Sequence, residues 1–256
     1  MEAGTGQEGR NPRSACYGVA FHATMPVMNQ EKASVLHRQV LIRHPSLFLL
    51  VAQLLSLVLY AVFDGADSGR GLLAAFGVLV LLLVVWVVKR SPATNWIAWA
   101  LAAMAAVLWL LSWISVIPTL SVWASLLEAV LYFYAAGSLI AYMMEDEVVT
   151  ADELFAAGAT FTLIAWAFAY LYLVCQAWFP GCFSAAASQE PQTFLKLLFL
   201  SFTNLSATGL SDIVPVTPPA RVLVMLEQFA GIAYLAVVVS RLVGLTITRH
   251  SRRREQ

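Results

Sequence analysis

Long apolar runs separated by short polar segments dominate the chain. Six such runs lie at about 46–63, 71–88, 95–117, 120–143, 153–179 and 218–245. At a rise of roughly 1.5 Å per residue, each run is long enough as a helix to cross about 30 Å of hydrocarbon. The pattern therefore predicts an all-α membrane protein with six transmembrane helices.

A further apolar segment, 191–204, is too short to cross a membrane, because it would reach only about 20 Å as a helix. It opens with Pro191, a residue type favoured at the first position of a helix. A polar stretch follows that contains Gly209 and ends in Asp212 and Pro215. We predict that this segment enters the membrane as a short helix and returns through a Gly-containing strand.

The basic residues support a re-entrant segment. With six crossings, both termini and the loops 89–94 and 144–152 share one side. That side collects Arg10, Arg13, Lys32, Arg38, Arg43, Lys89, Arg90, Arg241, Arg249, Arg252, Arg253 and Arg254. Only Arg70, Lys196 and Arg221 fall elsewhere. Because cytoplasmic loops carry an excess of Lys and Arg, we expect both termini to be cytoplasmic.

Four regions follow from this topology. Residues 1–45 form a polar cytoplasmic tail without a signal peptide, in which 31–44 could lie on the membrane as an amphipathic helix. Residues 46–143 hold four peripheral helices, and the fourth has no Lys or Arg that a membrane potential could move. Residues 144–248 hold two helices and the re-entrant segment, in which Thr150 or Asp152 could cap the fifth helix. Residues 249–256 form a basic tail.

Composition excludes several other classes. With 60% apolar and 12% charged residues, the chain is not an ordinary soluble domain. All histidines (His22, His37, His44 and His250) lie in the tails, and neither a His-Glu-x-x-His nor a Gly-x-Ser-x-Gly motif occurs, which disfavours an enzyme. A transporter would be expected to show paired broken helices, whereas one interrupted segment is present. We expect no cofactor, no resident metal and no nucleic-acid partner.

Two cysteines leave alternatives open. Cys175 and Cys182 lie near the outer end of the fifth run and show no metal-ligand or Cys-x-x-Cys spacing. They could form a disulfide or remain free thiols that pack in the interior.

Four segments carry a resemblance to a known family. They are DEVVTAD at 146–152, SFTNL at 201–205, DIVPVTP at 212–218 and LEQFAGIAYL at 226–235. Together they resemble bacterial six-span potassium-channel relatives of the pore-loop ion-channel superfamily. The resemblance implies a homotetramer in the bacterial inner membrane, in contact with lipid. It also implies passive conduction of a monovalent cation, expected to be K⁺.

The same resemblance assigns a selectivity filter. Alignment through the flanks places Ala207, Thr208, Gly209, Leu210 and Ser211, followed by Asp212, where the family usually has Thr, Val, Gly, Tyr, Gly and Asp. Filter carbonyls in such channels replace the water around an ion. Only the middle glycine and the aspartate are retained, so ion preference stays open. A weakly selective or non-conducting relative is the alternative, and a shift by one residue would put Thr208 in the threonine position.

Further residues are expected to support this loop. Thr203 and Asn204 end the short helix, whose C-terminal dipole favours a cation. Glu227 needs a buried partner, either behind the filter or elsewhere in the bundle. Gly231 is either a gating hinge or a packing residue.

Two positions carry an expected cost or an open role. A side chain at Ser211, where the family has glycine, should cost about 1–2 kcal/mol if the backbone is left-handed. Glu128 lies inside the fourth run without a basic partner in a neighbouring span, and we assign it no role.

Overall fold

The computed structural model describes residues 45–63, 80, 82–84, 86, 95–114, 118–145, 151–185 and 191–254. The predicted tail 1–44, most of the second run at 71–88, the loop 89–94 and Thr150 lie outside the described residues. The described part of the chain is mostly helical, as the apolar runs predict.

The helices are α1 (Pro45–Phe63), α2 (Asn95–Ile114), α3 (Pro118–Glu145), α4 (Ala151–Trp178), α5 (Phe194–Leu205) and α6 (Pro218–Arg254), with strands β1 (Phe183–Ala185) and β2 (Ile213–Pro215). Among the described residues, three helices have segments long and apolar enough to cross a membrane: Thr119–Met144, Asp152–Trp178 and Pro218–Arg241. The apolar parts of α1 and α2, Ser46–Val62 and Trp96–Leu111, are shorter than 18 residues. The sequence therefore predicted where the helices lie more accurately than whether α1 and α2 are long enough to cross a membrane.

Helix α4 is the centre of the described structure. Helices α1, α3, α5 and α6 all pack against it. Its sequence is apolar on every face, which is typical of a helix surrounded by others. Trp166 of α4 is fully buried and contacts the rings of Tyr60, Tyr132 and Phe194. Burial of these large side chains joins α1, α3 and α5 to one core.

Helix α5 is held at its start by the end of α4. The side-chain amide of Gln176 donates to the carbonyl of Gln192 at 3.1 Å and accepts from the Gln192 amide at 2.8 Å. Pro191 lies three residues before the helix, and Thr193 is the N-cap without a side-chain cap bond. The prediction that Pro191 opens the helix is therefore wrong, although the helix itself is confirmed.

A two-stranded antiparallel sheet joins the segments on either side of α5. Ser184 of β1 pairs with Val214 of β2, and the Val216 amide donates to the Cys182 carbonyl at 2.9 Å. The strand therefore follows Asp212, whereas the predicted strand contained Gly209. The strand prediction is wrong because the backbone at Gly209 is left-handed, with φ 65°, and cannot continue a β ladder.

Helix α6 extends beyond the predicted end of its apolar run. It continues through the basic residues to Arg254. At the other boundary, Asp152 lies inside the first turn of α4 and not before it, so the proposed cap at Asp152 is wrong. Its carboxylate instead contacts α1.

Candidate functional site

A Schellman motif closes α5 and begins the candidate loop. Ser206 is the C-cap, the Ala207 amide donates to the Asn204 carbonyl at 3.0 Å, and the Thr208 amide donates to the Thr203 carbonyl at 2.9 Å. These two bonds satisfy helix carbonyls that would otherwise lack partners. The chain thus turns sharply where the resemblance places the first filter residue.

The left-handed residue of this motif is Ala207, with φ 57°. Glycine usually occupies this position, because a Cβ makes the conformation unfavourable. Ser211 is not left-handed, so the cost predicted there falls on Ala207 instead. The Ser211 hydroxyl accepts a hydrogen bond from the Ile213 amide at 3.1 Å, which forms a local turn before β2.

The carbonyl oxygen of Thr203 accepts several hydrogen bonds from the loop and so holds the loop against the end of α5. Besides the Thr208 amide, it accepts from the Gly209 amide at 3.0 Å and from the Thr208 hydroxyl at 3.1 Å. The Ser206 hydroxyl also lies 3.3 Å from this oxygen. The Thr203 hydroxyl bonds the Leu200 carbonyl of its own helix at 2.9 Å. Thr203 therefore contacts the loop through its main chain.

The loop is exposed and its own carbonyl groups are available. Ala207, Thr208, Gly209 and Leu210 are exposed, Leu210 to 73%, and Ser211 is partly buried. Among the described residues, no donor hydrogen-bonds to a carbonyl oxygen of residues 206–211. Asp212 is also exposed and has no hydrogen bond to a described residue. The arrangement presents a short row of main-chain oxygens without protein donors.

Glu227 lies behind this loop as a fully buried acid of α6. Its carboxyl group is hydrogen-bonded to the hydroxyl of Tyr172 on α4 and to the hydroxyl of Ser201 on α5. The acid therefore joins three helices at one point. This contact agrees with the predicted partner on the back of α5.

The Ser201 hydroxyl makes a second contact beside Glu227. It lies 2.7 Å from the Ala165 carbonyl of α4. Ser201 therefore joins α5 to α4 as well as to α6.

Asn204 forms the other contact between α5 and α6 near Glu227. It is buried, and its side-chain oxygen lies 3.5 Å from the side-chain amide nitrogen of Gln228. At this length the contact contributes little. The Asn204 carbonyl accepts from the Ala207 amide and so helps to close α5.

At Gly231, α6 approaches the end of α5 closely. A Cβ on Gly231 would lie 2.1 Å from the carbonyl oxygen of Leu205 and 2.9 Å from its Cα. No side chain fits there unless one helix moves. This geometry agrees with the predicted packing role, while the hinge role stays a prediction.

The segment that runs from α4 through the loop to α6 is similar to a known protein family. Residues 159–247 match the family model described as "Ion channel". The match covers about a third of the chain, from within α4 to within α6, and includes the whole candidate loop. It supports an ion channel of the pore-loop type, and with the apolar helices it supports an integral membrane protein. The comparisons with curated proteins and with solved structures gave no match.

Sequence reasoning assigned no role to three residues of this candidate site. Tyr172 and Ser201 bind Glu227, and Leu205 fixes the position of Gly231. Ser201 carried a signal, since it is a polar residue within an apolar helix. Tyr172 and Leu205 carried none, because they do not differ from other apolar or aromatic residues of their helices.

Glu128 of α3 has a partner that charge pairing did not suggest. It is buried, and its carboxyl accepts a hydrogen bond from the Trp109 indole of α2 at 2.8 Å. Helices α1 to α4 contain no Lys or Arg, so this neutral donor replaces a basic one.

Cys175 and Cys182 are free thiols in the described structure. Both are buried in a cluster with Tyr172, Phe183 and Ile213. Burial raises the pKa of Cys182 to about 12, so its thiol stays protonated at neutral pH. The packing alternative therefore describes this pair better than the disulfide.

Proposed function

We propose that this protein is a passive channel for monovalent cations, with K⁺ as the expected ion. In this proposal, four copies of the loop 207–211 surround a common axis, and their carbonyl oxygens replace the water around a dehydrated cation. Support comes from the channel-family match over the loop and its two flanking helices. The resemblance of the flanking segments to bacterial potassium-channel relatives supports the same class.

The proposal depends chiefly on one observation: the loop carbonyl oxygens accept no hydrogen bond from a described residue. An ion replaces its hydration shell with oxygens that are not occupied by protein donors. Residues 206–211 offer such oxygens, and the side chains around them are exposed. A structural hairpin buried between helices would instead need partners for these groups.

The residues behind the loop have supporting roles in the proposal. Thr203 and Asn204 bind the loop amides, and the dipole of α5 favours a cation beyond its C-terminus. Glu227 holds α5 between α4 and α6. Asp212 lies at the exit of the loop, where its carboxylate would attract cations.

The proposal includes a tetramer, because one loop would supply only one wall of a ring. Closed cyclic symmetry is the simplest way to complete it. Only 22% of the apolar segment of α6 is buried within the chain, which leaves a large apolar surface for other copies and for lipid. The positive-inside pattern supports cytoplasmic termini. The resemblance to bacterial channel relatives supports an inner-membrane location.

Flux measurements in liposomes test the proposal. We expect the reconstituted protein to pass K⁺ down its gradient without an added energy source. A suitable negative control is Gly209→Val, because valine resists the left-handed backbone at 65° while its Cβ would meet nothing within 4 Å. This variant should assemble normally and lose flux. Absence of K⁺, Na⁺ and Rb⁺ flux through the wild-type tetramer contradicts the proposal.

A weakly selective channel is the second candidate, favoured by the left-handed Ala207 and by the missing family residues. Reversal potentials in K⁺ and Na⁺ gradients separate the two candidates. The triple variant Ala207→Thr, Leu210→Tyr and Ser211→Gly should increase K⁺ preference if the gapless alignment is right. An unchanged preference in a conducting triple variant counts against that alignment.

A further inference from the structure

A cavity of about 540 Å³ lies between the end of α2, the start of α3 and the end of α4. Small-molecule sites in proteins usually have volumes of roughly 300–1,000 Å³. The wall formed by α3 contains Ser121, Val122 and Ser125, and the wall formed by α4 contains Leu173, Gln176 and Ala177. None of the described residues that line the cavity is charged. The cavity therefore suits an uncharged ligand, because a charge would be buried there without a counter-charge.

The packing of α3 against α4 places two polar groups of the cavity at one height. Trp123 of α3 contacts Trp178 of α4 at a centroid distance of 6.2 Å, and further ring pairs continue the antiparallel register. Ser125 is two residues after Trp123, and Gln176 is two residues before Trp178. Because one helix runs up as the other runs down, Ser125 and Gln176 lie level across the cavity.

These two side chains have complementary hydrogen-bonding capacity left. The Ser125 hydroxyl donates its proton to the Ser121 carbonyl at 3.0 Å, so its lone pairs can still accept. The Gln176 side-chain amide binds both main-chain groups of Gln192, which uses one of its two N–H donors. A ligand hydroxyl can donate to Ser125 and accept from Gln176. The pair therefore matches an alcohol better than a pure hydrocarbon.

The cavity opens at the level where the membrane meets water. Its lining residues Ala177 and Pro180 are exposed. Beside them lie Trp123 and Trp178, exposed to 50% and 53%. Tryptophan is enriched at membrane interfaces, where its ring packs on lipid and its N–H remains hydrated. An amphiphile in the membrane would thus have its polar end at the height of the cavity.

Trp109 forms the wall on the side of α2, and Glu128 holds its ring in place. The indole N–H donates to the Glu128 carboxyl at 2.8 Å. Glu128 is 4% exposed, interacts also with Tyr170, and does not line the cavity. The acid is therefore a positioning residue, which fixes an aromatic surface for an apolar chain.

We propose that this cavity binds an uncharged, hydroxyl-bearing amphiphile from the membrane, of the class of long-chain alcohols and monoacylglycerols. Ser125 and Gln176 bind the hydroxyl group, and the chain packs on Trp109 and Leu173. The inference goes beyond the proposed channel function and does not depend on it. An occupant would also lie beside Phe183 of β1, close to the segments that hold the candidate loop.

Photolabelling of the full-length protein in liposomes tests the class of ligand. The probe is a decanol analogue that carries a diazirine on its chain. We expect labelled peptides from the start of α3 and the end of α4, and competition by unlabelled decanol. At equal concentrations in the membrane, decane, decanoate and decylammonium should compete at least fivefold less well, because each lacks the hydroxyl or adds a charge.

Two substitutions test the place of binding. Ala177→Phe fills the cavity from an exposed position and should reduce labelling at least tenfold, whereas Ala103→Phe, at an exposed position of α2, should not. Ser125→Ala removes the acceptor and should weaken competition by decanol about fivefold, without affecting decane. Ser138→Ala is the control on α3, because this buried hydroxyl bonds its own helix away from the cavity.

Each outcome decides for or against the site. Labelling spread over all lipid-facing helices, or unchanged in Ala177→Phe, overturns it. Equal competition by decane overturns recognition of the hydroxyl, and stronger competition by decylammonium shows that an acid selects the ligand instead. If Ser125→Ala does not fold, the competitor series and Ala177→Phe decide. Specific labelling of a protein that passes no ions contradicts the channel proposal alone, whereas ion flux without specific labelling contradicts this inference alone.

Discussion

Ala207 is where a single residue most affects the loop. Its left-handed backbone costs about 1–2 kcal/mol for a residue with a Cβ, whereas glycine adopts it freely. The more flexible unfolded chain of a glycine variant offsets part of that gain, by roughly 0.4–1 kcal/mol. We therefore expect Ala207→Gly to increase the free energy of unfolding by about 0.5–1 kcal/mol in detergent.

Ala103→Gly provides the comparison for this measurement. Ala103 is an exposed residue inside α2, where glycine should lower stability by up to about 1 kcal/mol. If both glycine variants lose stability equally, the left-handed conformation at Ala207 is wrong.

The hydrogen bond between Tyr172 and Glu227 should contribute to stability. Tyr172→Phe removes one of the two hydroxyl partners of Glu227 and leaves part of a buried carboxyl unsatisfied. We expect a loss of about 1–2 kcal/mol in the free energy of unfolding. Tyr132→Phe removes a hydroxyl from another buried tyrosine, in the core around Trp166, without touching Glu227, and should change stability by less than half as much. Equal losses would indicate that the Tyr172 contact is unimportant.

Residue-level errors of the sequence analysis have a common physical cause. Strain was expected at Ser211 because the alignment assigned it the place of a glycine. The strain falls on Ala207 instead. Helix α5 ends at Leu205, and the position of that end decides which residue becomes the left-handed cap. The partners of Glu227 and Glu128 were equally hidden, since hydroxyl and indole donors give no charge signal in a sequence.

At the scale of elements, the contact between α5 and α6 depends on Gly231. Gly231→Ala places a methyl group against the Leu205 carbonyl and forces the helices apart. We expect a loss of about 1–3 kcal/mol in stability, the usual cost of overpacking. Gly244→Ala, on the same helix, meets no atom within 4 Å and should be neutral or slightly stabilising.

Recordings of the same variant separate packing from hinge motion. A hinge role predicts altered gating in Gly231→Ala with unchanged thermal stability. A packing role predicts loss of stability first, with gating altered only as a consequence.

The pattern of apolar runs predicted α1, α3, α4 and the short helix α5 within a few residues, because burial among other helices or in lipid leaves a continuous apolar signal. It could not predict the β1–β2 pair. Each strand has three residues, and their pairing joins segments about 30 residues apart in the chain, which no local pattern records.

At the scale of the whole molecule, α6 presents the apolar surface that the proposed tetramer would bury. Phe229 is 74% exposed within the single chain. We expect Phe229→Asn to weaken the tetramer, with at least a tenfold rise in its dissociation constant, or about 1.4 kcal/mol. Mass measurement in detergent should show four 27.9 kDa chains for the wild type and smaller species for the variant.

Met104→Asn is the control for this surface. Met104 of α2 is 50% exposed but lies on a peripheral helix, where lipid is the expected neighbour. If both variants dissociate to the same extent, the exposed face of α6 contacts lipid and not another copy.

The candidate loop is fixed at both ends, by the Schellman closure before it and by the β1–β2 pair after it. Such a tether should tolerate a change of side chain more readily than a change of length, because both ends of the loop are held and an extra residue cannot be absorbed. In the proposed pore, main-chain oxygens would face the ion, so substitutions along this stretch should be tolerated better than insertions or deletions. The unusual side chains of residues 207–211 are therefore compatible with an unchanged course of the main chain.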